Sequence, residues 1–305
     1  MIPRRAALRL LGSASAGAWF TTAKFNLGAV FAARPGEETL APPLAPGTPT
    51  SPERMALIDA FKRKSEGLQD NFEARTHKGS WTMPYRLFRP EAASEPAGKK
   101  LPLVVYLHGS GGLGDDNLKQ LTLGNAFGTR VWLLPENQRA FPCYVVAPQT
   151  DRGWVRYDEA KVQKGIIEVL SGLGDGNKMA LDLIDALLRE FPIDNRRIYV
   201  AGQSMGGAGA WNIIAYRPKF FAGAIICCGS ISGEDGTESA GTPVWDFHGD
   251  SDQTVPVSSS RDRIAARRKA GGHPLYTEYA GVDHNVWQWA FTEPALPQWL
   301  FSQRA

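Results

Sequence analysis

A chain of 305 residues, 43% hydrophobic and 21% charged, has the make-up of an ordinary globular protein, which excludes a mainly disordered one. Its formal charge of +3 arises in the first 32 residues, which carry Arg4, Arg5, Arg9 and Lys24 and no acid. The remainder holds 30 basic against 31 acidic residues and gives a nucleic-acid partner no electrostatic footprint.

Residues 1–33 read as an export signal. Pro3-Arg4-Arg5-Ala6-Ala7-Leu8-Arg9 is similar to the twin-arginine pattern, with Ala7 where a Phe is common. A weakly apolar, Ala/Gly/Ser-rich segment follows, and Val30-Phe31-Ala32 or Ala14-Ser15-Ala16 offers a small-residue cleavage site. That apolar segment is short for a membrane span. The expectation is an exported, periplasmic or extracellular protein with no stable membrane association once the signal is removed. Residues 34–52, with six prolines, form a linker to a single domain over residues 53–305.

Ser51-Pro52-Glu53 combines an N-cap, a proline at the first helical position and a first-turn acid, so a helix is expected over residues 53–67. Alternation of Phe72, Ala74 and Thr76, then of Trp81, Met83, Tyr85 and Leu87, predicts a hairpin turning at Lys78-Gly79. After a polar loop, residues 101–107 form a continuous apolar strand leading into His108-Gly109-Ser110-Gly111-Gly112-Leu113-Gly114. Gly109-x-Gly111-x-x-Gly114 formally matches a dinucleotide fingerprint, but no clean helix follows and no acid ends a second strand about twenty residues on. The segment reads better as an oxyanion loop whose bare N–H groups face a substrate oxygen, with His108 structural.

Residues 143–147 predict a second buried strand, followed by a loop carrying Trp154. Met179, Leu183, Ala186 and Leu187 give residues 177–191 a helical period. The apolar run 198–201 enters Gly202-Gln203-Ser204-Met205-Gly206 and then a helix-favouring segment, 208–216. Strand, sharp turn bearing Ser and helix make a nucleophile elbow, in which the turn lifts the Ser204 hydroxyl above the sheet. Gly202 and Gly206 carry no Cβ where strand and helix nearly touch, and the helix adds N–H groups beside a forming oxyanion. Strands are expected at 220–228, 242–248 and 275–279, and a basic, solvated helix at 257–270. Strands alternating with helices predict a mostly parallel central sheet with helices on both faces. Cys143, Cys227 and Cys228 all lie in such apolar runs, form no disulfide framework and read as buried small hydrophobes.

A serine hydroxyl needs an imidazole to take its proton, and the imidazole needs a carboxylate to set its tautomer. Both follow Ser204 in post-strand loops: His248-Gly249-Asp250-Ser251-Asp252 offers Asp252 as the acid, with Asp250 as the fallback, and Gly281-Val282-Asp283-His284 offers His284 as the base. His273 is the rival base, and His77 lies too early in the chain. The scattered histidines include no i, i+4 pair with a Glu, and no phosphate-loop motif is present, so neither metal nor cofactor is expected.

These motifs, with Asp116-Asn117-Leu118, Ala147-Pro148-Gln149, Ala210-Trp211, Val255-Pro256 and Trp287, jointly resemble secreted α/β-hydrolase esterases of the polyhydroxybutyrate-depolymerase and feruloyl-esterase group, related to phospholipase/carboxylesterase-like proteins, over roughly residues 81–301. The resemblance implies the α/β-hydrolase fold, with Ser204 as nucleophile, Asp252 as acid and His284 as base. It also implies oxyanion donors at Met205 and within Gly109–Ser110. Gln203, Trp154 and Trp287 are candidate substrate contacts. Asp283 departs from the Gly usual before such a histidine. The expected activity is cleavage of carboxylic esters, of a small molecule or linked to a polysaccharide, through an acyl-enzyme. A serine peptidase of the same fold and a non-catalytic carbohydrate-binding protein are the alternatives.

Overall fold

A computed structural model of the protein describes residues 49–91, 100–158, 169–170, 172–229 and 239–305. The proposed export signal and residues 34–48 of the linker lie outside the described residues. Helix α1 (Pro52–Lys64) starts as its sequence predicts, with the Arg54 N–H donating to Ser51 Oγ at 3.3 Å. The hairpin strands are β1 (Glu73–Lys78) and β2 (Thr82–Phe88), followed by β3 (Leu101–Leu107). Two short helices, α2 (Asn125–Arg130) and α3 (Pro135–Ala140), occupy a stretch whose sequence carries no helical period, and lead to β4 (Tyr144–Pro148). A two-residue ribbon, β5 (Arg156–Tyr157) and β6 (Val169–Leu170), precedes α4 (Asp175–Glu190). Then come β7 (Ile193–Gln203), α5 (Met205–Tyr216), β8 (Gly223–Cys227), β9 (Val244–Gly249), α6 (Ser258–Lys269), β10 (Leu275–Tyr279), α7 (Trp287–Ala290) and α8 (Leu296–Ser302).

Eight strands form one sheet in the order β1-β2-β4-β3-β7-β8-β9-β10. All neighbours from β4 to β10 pair in parallel, and the β1–β2 hairpin joins the β4 edge antiparallel. The central strands are buried on both faces, which is why β3, β4 and β8 read as unbroken apolar runs rather than alternating ones. Alternate residues serve two cores. Val104, Tyr106, Tyr199, Ala201, Trp245 and Phe247 pack beneath α1, α2, α7 and α8, whereas Leu103, Val105, Leu107, Val200 and Ile226 pack beneath α4 and α5.

Charge burial departs from the sequence expectation. Helix α6 is not a wholly solvated basic face: Arg263 and Arg267 are buried and stack over the Trp211 ring at 5.3 and 5.4 Å. Burial lowers Arg267 to about 10, with the Arg263 charge acting in the same direction. Arg54 likewise leaves the surface to pair with buried Glu293 at 2.9 Å, tying α1 to the loop before α8. Among the described residues, no helix is long and apolar enough to cross a membrane.

Candidate active site

The C-terminal ends of the parallel strands gather the site. Ser204 lies between β7 and α5 with φ 53° and ψ −119°, a conformation that costs a non-glycine residue about 1–3 kcal/mol. Its neighbours must make way: a Cβ on Gly206 would overlap the Leu107 carbonyl, and one on Gly202 would overlap the Gly206 carbonyl. The start of α5 is thus pressed against β3 and β7, and the strained turn is held by packing on both sides.

His284, in the loop after β10, stands with Nε2 2.8 Å from Ser204 Oγ and Nδ1 2.7 Å from Asp252 Oδ2. An ionised carboxylate only accepts, so Nδ1 carries the proton and Nε2 is left to accept the Ser204 O–H. Asp252, in the turn after β9, is anchored through Oδ1, which takes the N–H groups of Thr254 and Val255 at 2.8 Å each. Burial alone would raise the Asp252 carboxyl, but hydrogen bonds from His248, His284 and the Val255 N–H hold it well below the usual carboxylate range. The carboxylate is therefore charged wherever the imidazole needs it.

The fallback residues lie elsewhere. Asp250 Oδ1 accepts the Gly281 N–H at 2.6 Å and the Ser251 O–H at 3.0 Å, a turn-building role. His273 sits before β10, at the opposite end of the strand from Ser204. His77 pairs with Asp182 on the edge of the sheet at 2.8 Å. Asp283 Oδ1 accepts the N–H groups of Gln253 and His284 at 3.1 and 2.7 Å, so it braces the loop that carries the imidazole. Cys228, whose Sγ lies 3.4 Å from the His284 carbonyl oxygen, backs the same loop as a neutral thiol, its pKa pushed up chiefly by burial. Cys228, Asp252 and His284 are the one group among the described residues with clustered metal-ligating atoms, and two of the three already bond one another.

The loop after β3 is fastened at several points. His108 is fully buried: Nε2 accepts the Thr150 N–H at 3.2 Å and Nδ1 faces the Gly109 carbonyl at 2.8 Å, while burial lowers it to about 4. It is a neutral structural residue, as its sequence position implies. Gln149 donates to the Gly112 carbonyl at 3.1 Å and to Asp116 at 3.0 Å, and accepts the Asn117 N–H at 2.5 Å. This joins the two distant sequence pieces Asp116-Asn117-Leu118 and Ala147-Pro148-Gln149. The loop then forms a single 3-10 turn, Ser110–Gly112, so the helix N-terminus that a dinucleotide fingerprint requires does not follow it.

Three sequence expectations need correction. The Gly109 N–H donates to Asn125 Oδ1 at 3.0 Å and is spent inside the protein, so it is no oxyanion donor. Ser110 and Met205 each open a helical turn, where an N–H has no carbonyl behind it to bond, and both remain candidates. Trp154 is fully buried, its Nε1–H donating to the His108 carbonyl at 2.8 Å, so it is core and not a pocket wall. Gln203 is also turned inward: its Oε1 accepts the Tyr106 O–H at 2.6 Å, and the same hydroxyl lies 3.3 Å from Asn125 Oδ1. Gln203, Tyr106 and Asn125 thereby form a bracket behind the loop after β3. Trp287 does stand at the site, its ring 5.5 Å from and nearly perpendicular to the His284 ring. It also lies against the backbone of Gly124, next to exposed Leu123. Asn125 had no sequence signal, because its importance comes only from the fold that brings it to Gly109.

Comparison with known proteins agrees with this fold. The family model described as phospholipase/carboxylesterase matches residues 90–293. An Arabidopsis thaliana protein named probable carboxylesterase SOBER1-like is 25% identical over 60% of this chain and 72% of its own length. The crystal structure of a thermostable esterase superposes with a TM-score of 0.70 and 34% identity, over 78% of this chain and 64% of that one. A feruloyl esterase module from Clostridium thermocellum shares the fold, with a TM-score of 0.54 and 14% identity over 74% of this chain and 86% of that one. Sheet order, helices on both faces and the family match make this an α/β-hydrolase, and the chain belongs to the phospholipase/carboxylesterase family of ester-cleaving serine hydrolases.

Proposed function

We propose that the protein is an exported carboxylesterase that works through an acyl-enzyme on Ser204, with His284 as general base and acid and Asp252 as its orienting carboxylate. The observation that carries this reading is the unbroken line from Ser204 Oγ to His284 Nε2 at 2.8 Å and from His284 Nδ1 to Asp252 at 2.7 Å. Ser204 Oγ attacks the ester carbonyl carbon as its proton passes to His284 Nε2. The carbonyl oxygen becomes an oxyanion that accepts the N–H groups of Met205 and Ser110, donors already in place before charge develops. Collapse expels the alcohol, which takes the proton from His284. Water then attacks the acyl-serine with His284 again as base, and the carboxylic acid leaves.

Residues 34–305 and their Ser204→Ala variant, assayed on 4-nitrophenyl acetate and butyrate, methyl ferulate and a peptide anilide, test this reading. Ester turnover that disappears in the variant supports it, whereas preferential anilide cleavage makes the protein a peptidase. Equal inertness of both proteins on every substrate favours the carbohydrate-binding alternative.

The Trp287 ring beside His284 suits an aryl or apolar group of the substrate. Trp287→Ala is expected to lower kcat/KM for methyl ferulate by about three- to tenfold, mainly through KM. An equal loss on acetate and ferulate would assign the ring to support of His284 instead.

Export rests on the pair Arg4-Arg5. With both replaced by Lys, the full-length chain should remain in the cytoplasm of a bacterium competent in twin-arginine export. Unchanged appearance outside the cytoplasm would remove this part of the proposal.

A further inference from the structure

Asp252 has two histidines, not one. His248, the penultimate residue of β9, lies four residues before it, fully buried, with Nε2 3.2 Å from the same Oδ2 that bonds His284. That nitrogen is also 3.0 Å from the Val255 carbonyl oxygen, and Nδ1 is 2.8 Å from Ser260 Oγ on α6. Neither a carboxylate nor a carbonyl can donate, so the geometry requires the proton on His248 Nε2, shared between two acceptors. Nδ1 lies against the Ser260 hydroxyl, which also faces the Asp246 carboxyl, and this contact fixes the ring plane from the far side.

We propose that His248 is a positioning residue for the catalytic acid, holding the Asp252 carboxylate in the plane of His284 and drawing off part of its negative charge. This rests on the Ser204–His284–Asp252 reading above. The carboxylate side chain is wholly buried, and water cannot supply the missing donor. With the Thr254 and Val255 N–H groups on Oδ1 and only His284 on Oδ2, it would be free to over-stabilise the His284 imidazolium. A second donor on Oδ2 tempers that attraction. The imidazole is then basic enough to take the serine proton and acidic enough to return it to the leaving alcohol.

The charged and titratable groups around His248 come from every packed element. They are Asp246 on β9, Asp252 in the next turn, Arg263 on α6, Glu278 opposite it on β10 and Cys228 after β8. Burial opposes a charge on His248, but the bond to Asp252, the Asp246 carboxyl and the Val255 carbonyl together raise its pKa. Whether His248 acts as a neutral donor or as a cation, its removal has one sign: Asp252 turns more of its negative charge toward His284 and holds the imidazolium more strongly.

Three variants test this in residues 34–305: His248→Leu, which removes the donor; His248→Gln, whose side-chain N–H reaches the same place; and Ser260→Ala, which frees the ring and removes the hydroxyl that faces Asp246. For His248→Leu, kcat on 4-nitrophenyl acetate should fall about 10- to 100-fold with little change in KM. The acid limb of the kcat/KM–pH profile should move up by about half a unit or more. His248→Gln should restore most of both, and Ser260→Ala should show a smaller shift in the same direction. If Leu and Gln are equally impaired with the acid limb unmoved, or if all three match the parent, the proposal is overturned. Should the Leu chain fail to fold, an unmoved limb in Ser260→Ala overturns it equally. Ser204→Ala run beside them separates the two readings: if it keeps its activity, the triad fails, and if it alone is inert, only the role of His248 fails.

Discussion

Ser204→Ala should lower ester turnover by a factor of a thousand or more while leaving the fold intact. The substitution removes one oxygen, and the hydroxyl it removes bonds only His284 among the described residues, so the packing of α5 against β3 is untouched. Alanine still occupies the strained backbone at φ 53°, so the variant keeps that cost and loses only the nucleophile. The residual rate should come from the Met205 and Ser110 N–H groups acting on water attack, the remainder that survives when a serine nucleophile is deleted elsewhere. Stopped-flow release of 4-nitrophenol provides the check: the parent should show a burst as acyl-enzyme forms, where deacylation is slow, and the variant none. A burst that persists in Ser204→Ala would move the nucleophile to another residue.

Asp252→Asn should cost about a further comparable factor, of order 10⁴ in kcat near neutral pH. That magnitude is the one known for the corresponding change in a serine protease, and the same tautomer logic applies here. The amide oxygen can still accept the Thr254 and Val255 N–H groups. The amide nitrogen then takes the Oδ2 position and presents hydrogens to His284 Nδ1 and to His248 Nε2, both of which need an acceptor. His284 is driven into the tautomer with Nε2 protonated, which cannot accept the Ser204 proton. Binding survives, so KM should change little. A kcat within tenfold of the parent would show that the acid is another residue, and Asp250 is too far engaged with Gly281 to be the first choice.

How much of this was legible beforehand differs between the frame and its braces. The elbow, the strand runs at 101–107 and 143–147 and the order Ser, Asp, His are local signals, because a buried parallel strand must be apolar on both faces and a tight strand–helix turn must use glycine. The ends of elements shifted by a few residues: the strand expected over 220–228 is β8, Gly223–Cys227, and the helix expected over 177–191 is α4, Asp175–Glu190. Helices α2 and α3 carry no period in the sequence, since their burial is decided by the strands beneath them.

The side-chain roles divide in the same way. The meeting of Ser204, Asp252 and His284 was readable because the proposed chemistry demands those residue types after those strands. The tryptophans were not: Trp154 and Trp287 are equivalent on paper, yet one donates its N–H to the His108 carbonyl in the core and the other stands beside His284. Nor could sequence tell that Gly109 spends its N–H on Asn125, that Arg263 and Arg267 of a basic helix stack on Trp211, or that His248 shares a carboxylate with His284. By itself the sequence determined the family, the sheet and which serine, aspartate and histidine meet at the strand ends, because those follow from periodicity and from motifs placed after particular strands. Tertiary structure alone decided which groups remain available to a substrate, because a hydrogen-bond donor has one proton to give, and whether a distant residue takes it depends on where the fold brings that residue.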